Sequence, residues 1–122
     1  MGTFFVEALL AAPDRPERRE PIELLVDSGS TYTWVGAAIL RTLSVAPTER
    51  RRVVTIEGQV VDRDAAEVLI TLEGRTVHTV CLFGAAGDLN VLGAYTLEGF
   101  GLGIDPVQRK LIPALQYGAA TA

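Results

Sequence analysis

Apolar and polar positions along the chain fall into short runs separated by turn-forming residues. Thr3 to Leu10 begins β-branched and aromatic and ends at the polar cluster Pro13 to Pro21, which predicts a strand followed by a loop. Ile22 to Val26 predicts a second strand. It runs straight into Asp27-Ser28-Gly29, where Gly29 tolerates backbone angles closed to other residues and Asp and Ser bond to the local backbone, so a turn ends the strand. Tyr32 to Val35 reads as a short extended piece, and Gly36 to Leu43 as one short helix, because Ala37, Ile39, Leu40 and Leu43 recur at helical spacing.

Val53 to Val61 and Val68 to Leu72 predict two strands of a hairpin, with Asp62, Arg63 and Asp64 at their boundary and a possible inner turn at Glu57-Gly58. Thr76 to Phe83 is a further strand after the break at Glu73-Gly74-Arg75. Gly84 to Asp88 reads as a loop, Leu89 to Leu92 as a brief apolar strand, and Ala94 to Phe100 as a helix beginning after Gly93. Leu102 to Ile104 and Lys110 to Ile112, joined by a turn at Asp105-Pro106, suggest a closing hairpin, and the tail Gly118 to Ala122 has nothing to bury. Short strands with one or two short helices point to an all-β domain that is closed or nearly closed. Two strand-then-helix units, Ile22 to Leu43 and Leu89 to Phe100, loosely resemble each other.

A length of 122 residues with 48% hydrophobic content suits one packed domain spanning residues 1–122. A net charge of -4 and a pI near 4.9 disfavour a nucleic-acid partner, since the basic residues are dispersed except for Arg50, Arg51 and Arg52. That triplet reads as a solvated approach to the flanking strand. With one cysteine and one histidine, no internal disulfide and no metal site of the Cys/His kind is expected. The stretch Phe4 to Ala12 is broken by Glu7 and lacks a basic leader, and no apolar run approaches the ~20 residues that cross a bilayer. A soluble protein of the cytoplasm, with no membrane partner, is the expectation.

The chemistry concentrates at Asp27. A carboxylate directly after Leu24-Leu25-Val26 sits at the end of a buried strand, where burial costs several kcal/mol unless the charge is neutralised or hydrogen-bonded. Gly29 offers a backbone N–H, and Ser28 and Ser30 offer hydroxyls. One carboxylate cannot both take a proton from water and give one to a leaving amine. Two brought together share one proton, so that one serves as base and the other as acid, and a twofold axis would supply the second from an identical chain.

The run Leu24-Leu25-Val26-Asp27-Ser28-Gly29-Ser30-Thr31-Tyr32-Thr33 resembles the active-site signature of the aspartic proteases. Asn90-Val91-Leu92-Gly93, followed by a helix, is similar to their second signature. Order and separation match the small retropepsin-like (retroviral-type) members, including bacterial ones, over nearly the whole chain. The resemblance implies a closed acid-protease barrel acting as a symmetric homodimer, with Asp27 catalytic and Ser28, Gly29 and Ser30 forming the active-site loop. It places Ser28 in an interlocking hydrogen bond across the dimer. It also implies a hairpin flap that binds substrate through Thr55, Ile56, Glu57, Gly58 and Gln59, and a second signature, Val91, Leu92 and Gly93, packed behind the loop. The implied activity is hydrolysis of peptide bonds in a peptide or protein substrate, without cofactor or metal.

Two departures bear on that expectation. The flap carries a single glycine, Gly58, with the charged Glu57 beside it, and Ala94 stands where retroviral enzymes carry a dimer-bracing Arg. The flap motivates a second reading, a protease-like dimerisation or peptide-binding module with little turnover, and Ala94 leaves open a dimer that is assembled or oriented differently. Other residues have plainer readings. Ser28 as a nucleophile would need a histidine base, and His78 lies in a strand. Gly99, Gly101 and Gly103 do not have dinucleotide-fingerprint spacing and follow a helix instead of opening one. Tyr32 and Trp34 read as core or cleft-wall packing, Cys81 as a buried small hydrophobe, and Asp88 as a loop cap, with pairing to Asp27 within one chain left open.

Overall fold

The computed structural model describes residues 3–121. The elements in chain order are β1 (Phe5–Ala11), β2 (Glu20–Val26), β3 (Thr33–Gly36), α1 (Ala37–Thr42), β4 (Glu49–Val54), β5 (Val60–Leu72), β6 (Arg75–Gly84), β7 (Val91–Leu92), α2 (Ala94–Phe100), β8 (Leu102–Asp105) and β9 (Lys110–Pro113). The chain is mostly β, as its short apolar runs predicted.

Seven strands hydrogen-bond in the order β1-β2-β7-β3-β6-β5-β4, and β1 pairs a second time with β5, so the ladder returns to its start with β4 standing outside it. β8 and β9 form a separate hairpin around Asp105, whose carboxylate accepts the N–H groups of Val107 and Gln108, each at 3.0 Å. Alternation sets the core: on β2, Ile22, Leu24 and Val26 point inward while Glu23 is exposed. Leu10, Val35, Leu40, Ile70 and Leu92 join them in one cluster.

The middle of the chain is divided differently from the sequence expectation. Val53 to Val61 is not one strand: β4 ends at Val54, a turn intervenes, and β5 starts at Val60. The possible inner turn at Glu57-Gly58 is therefore the true hairpin tip. Arg50, Arg51 and Arg52 lie inside β4 and do not merely lead up to a strand, and Asp62, Arg63 and Asp64 lie inside β5. The reason is register. Arg50 faces Asp64 and Arg52 faces Asp62 across the pair, and each is bridged, at 2.7 and 3.0 Å. A solvated ribbon whose opposite charges face each other needs no apolar face along this stretch.

Near the second signature the strand is Val91–Leu92, shorter than the expected Leu89 to Leu92: Leu89 is exposed, and Asn90 bonds to both neighbouring segments. Its carbonyl accepts the Leu25 N–H at 2.9 Å and its side-chain oxygen accepts the Gly36 N–H at 2.8 Å. The loose duplication has a narrower register than the sequence suggested. Trp34-Val35-Gly36-Ala37 and Val91-Leu92-Gly93-Ala94 each pass from strand through glycine into helix, with Leu40 and Leu97 buried at the same offset. Gly118 to Thr121 are exposed, as expected of a tail with nothing to bury, and Ala122 lies outside the described residues.

Candidate active site

β2 delivers Asp27 to the surface from a buried lead-in, Leu24 and Val26 being 0% and 2% exposed. Backbone pairing fixes both sides of the delivery. Val26 N–H donates to the Phe4 carbonyl at 2.8 Å, and Asp27 N–H donates to the Leu92 carbonyl at 3.0 Å. The half-buried Asp27 carboxylate then accepts the Gly29 N–H through Oδ1 at 2.9 Å, and Ser30 N–H donates to the Asp27 carbonyl at 3.2 Å. A side chain on Gly29 would crowd that same oxygen, its Cβ lying 3.1 Å away. The turn thus presents one carboxylate, oriented by a backbone donor, with Ser28 exposed beside it.

The second signature packs against this loop. Val91 and Leu92 on β7 pair in parallel with Leu25 and Val26. Beyond them Gly93 lets the chain pass under the loop, and the first turn of α2 directs its free N–H groups at it: Ala94 donates to Ser30 O at 2.8 Å and Tyr95 to Thr31 O at 2.9 Å. Gly93 N–H donates to the Thr33 hydroxyl at 3.1 Å, which shares a bond of 2.6 Å with the Thr96 hydroxyl, itself 2.7 Å from the Thr79 hydroxyl. All three threonines are buried, so their hydroxyls satisfy one another and lock β3, β6 and α2 behind the carboxylate.

β4 and β5 form the hairpin that the sequence marks as a flap. Its tip is a tight loop in which Gly58 N–H donates to Thr55 O at 2.9 Å and Thr55 N–H donates to Gln59 O at 2.8 Å. Gly58 holds φ at +83°, the left-handed conformation such a loop requires at that position. Ile56, Glu57, Gly58 and Gln59 are exposed, and Thr55 is half-buried.

Between hairpin and loop lies a groove of about 350 Å³ lined by Gly29, Ser30, Thr31, Tyr32, Trp34, Arg52, Val53, Val54 and Leu82. Tyr32 and Trp34 are cleft wall, as their position after the turn suggested. The hairpin meets the groove through its shaft, Arg52 to Val54, while the tip residues Thr55 to Gln59 are not among its lining. The apolar pair Val53-Val54 after the arginines lines the groove, although the sequence pattern alone runs it on into one longer strand.

The remaining candidates take plain places. Cys81 is fully buried, and burial pushes its thiol up to about 12. Asp88 caps its loop by accepting the Ala85 N–H at 2.8 Å. His78 is exposed on β6 and shares a hydrogen bond of 2.9 Å with Glu67 on β5. No group of three or more His, Cys, Asp or Glu side chains gathers among the described residues. No helix among them is long and apolar enough to cross a membrane.

No protein-family model matches the chain, and no curated protein matches its sequence. Among solved structures, the chain is similar to the solution structure of the Simian Foamy Virus (mac) protease. The TM-score is 0.57 at 22% identity, over 78% of this chain and 92% of that one. The likeness over that extent shows that this chain has a retropepsin-like fold.

Proposed function

We propose that the chain is an aspartic endopeptidase in which two copies each contribute Asp27 to one catalytic dyad. The observation that carries the reading is the seating of the Asp27 carboxylate: it accepts the Gly29 N–H at 2.9 Å, on a loop clasped from behind by Gly93, Ala94 and Tyr95. Such a rigid, half-exposed acid beside a groove walled by Tyr32, Trp34, Val53 and Val54 suits a bound peptide backbone with apolar side chains.

In this reading the protomers close six of their strands into a barrel, as the double pairing of β1 permits, and a twofold axis brings the two carboxylates together. They hold one proton between them. The ionised Asp27 takes a proton from a water, whose oxygen bonds to the scissile carbonyl carbon. The protonated Asp27 gives its proton to the leaving nitrogen as the C–N bond breaks. Gly29 keeps the carboxylate oriented, Ser28 bonds across the dimer, Ser30 supports the loop, and the Thr55 to Gln59 tip closes over substrate. No metal or cofactor takes part. We place the chain with the single-domain, bacterial-type members of the retropepsin-like family and in the cytoplasm.

A second reading has its own observation. Glu57 projects from the hairpin tip with Gly58 as the tip's one glycine, so a charged, stiff flap could bind peptide as a dimer with little turnover. Incubating the protein with a mixed peptide library over a range of pH, with and without a transition-state mimic of aspartic proteases, separates the two. Cleavage with an acidic optimum, blocked by the mimic, supports the peptidase. Peptide retention without cleavage at any pH supports the binding module and overturns the first reading.

A further inference from the structure

Among the described residues β4 is an edge strand that pairs only with β5, and β5 pairs with β6 only from Ala65 on, so backbone bonds anchor the base of the flap hairpin but not the inclination of its outer part over the groove. Side chains supply that: Arg63 on β5 lies 5.9 Å from the centroid of the Trp34 ring and 3.9 Å from Asp88, and Arg51 on β4 makes the other contact. Among the described residues, Arg50 and Arg52 spend their bonds within the hairpin, on Asp64 and Asp62. Arg51 points to the other face and is half-buried. Its guanidinium donates to the Tyr32 hydroxyl and lies 4.8 Å from the centroid of the Tyr32 ring. Glu49 accepts from Arg51 Nε at 3.0 Å and holds the guanidinium in that plane.

Tyr32 is itself immobilised. Its carbonyl accepts the Ser30 hydroxyl at 2.7 Å, Gly93 packs directly against that carbonyl, and its ring lies 5.8 Å from the ring of Tyr95 on α2. A continuous path therefore runs from α2 through Tyr95, Tyr32 and Arg51 to the base of the flap. We infer that Arg51 is a positioning residue, tying the flap hairpin to the Asp27 loop through Tyr32 and setting the height of the groove roof. The tie sits below the tip, so it acts as a pivot about which Thr55 to Gln59 can move. The inference about substrate binding rests on the peptidase reading; the tie itself does not.

The test uses the full chain and compares amide hydrogen exchange in the Val53 to Val60 segment, with melting curves to show that each variant is folded. A charged hydrogen bond and a cation–π contact at a half-exposed site together change a local opening equilibrium by about tenfold. Arg51→Met is expected to speed exchange in that segment by about this factor, and Tyr32→Phe, which keeps the ring but loses the hydroxyl, by a smaller factor. Arg50→Gln, which cuts an exposed bridge inside the hairpin, is expected to have a much smaller effect than Arg51→Met. With a cleavable peptide, Arg51→Met should raise KM about tenfold with kcat nearly kept, and Arg51→Lys should recover part of the loss. Unchanged exchange in both Arg51→Met and Tyr32→Phe, or equal acceleration in Arg50→Gln, overturns the tie. Absence of cleavage by the unaltered protein bears on the peptidase reading alone, because exchange reports the tie whether or not peptide is cut.

Discussion

Gly93 passes so close to Tyr32 that a Cβ built on it would lie 2.4 Å from the Tyr32 carbonyl oxygen and 2.9 Å from that of Ser30. Both carbonyls are backbone, and both are held: Tyr32 O accepts the Ser30 hydroxyl, and Ser30 O accepts the Ala94 N–H. Neither can retreat cheaply. Gly93→Ala is therefore expected to displace the Asp27 loop and cost about 1–3 kcal/mol of stability, the range for overpacking a close-packed site. Chemical denaturation checks the stability. A loss under about 0.5 kcal/mol, the range of ordinary surface substitutions, would show that the loop yields more easily than its hydrogen bonds indicate.

The Arg52–Asp62 bridge makes the hairpin sensitive to acid. The direct hydrogen bond from Arg52, and then its charge, hold the Asp62 carboxyl below its ordinary value of 3.8. A carboxyl lowered by folding favours the folded hairpin above its unfolded value, and the contribution disappears as pH falls through the lowered one. A carboxyl-carbon NMR titration should find the Asp62 midpoint below 3.8 and find it returning upward in Arg52→Gln. A midpoint that does not respond to that substitution would mean that the bridge is not populated in solution.

Cys81 should be chemically silent. It is fully buried, and burial pushes its thiol up to about 12, so at neutral pH almost none is thiolate, the form that reacts. A disulfide-exchanging reagent at pH 8 is expected to label the unfolded protein promptly and the native protein only at the rate of unfolding. Fast labelling of the native chain would contradict the packing of β6 against β3.

β2, the turn between β5 and β6, and α2 were legible because each lies in a run with one dominant signal: alternation in Ile22 to Val26, a turn at Glu73-Gly74, a glycine before Ala94. The site was legible in part for the same reason. Asp27 stands out as a charge at the end of an apolar strand, and its companion Gly93 stands out as a glycine between strand and helix. The hairpin was misread because its stability comes from pairing across strands. Arg50 opposite Asp64 and Arg52 opposite Asp62 are ordinary surface charges until the register is known. For the same reason Arg51 looked like its two neighbours, although strand alternation turns it alone toward Tyr32. Relations between residues distant in sequence, such as the shared hydroxyls of Thr33, Thr79 and Thr96, leave no local pattern to read.

The shared dyad is tested most directly by mixing. Asp27→Asn is expected to keep the dimer, checked by sedimentation, and to lose cleavage. After unaltered and Asp27→Asn chains are unfolded together and refolded at a fixed total concentration, peptide cleavage should follow the square of the unaltered fraction, because a mixed dimer lacks one of the two carboxylates. Cleavage proportional to that fraction, or retained by Asp27→Asn alone, would contradict a site built from Asp27 of two chains.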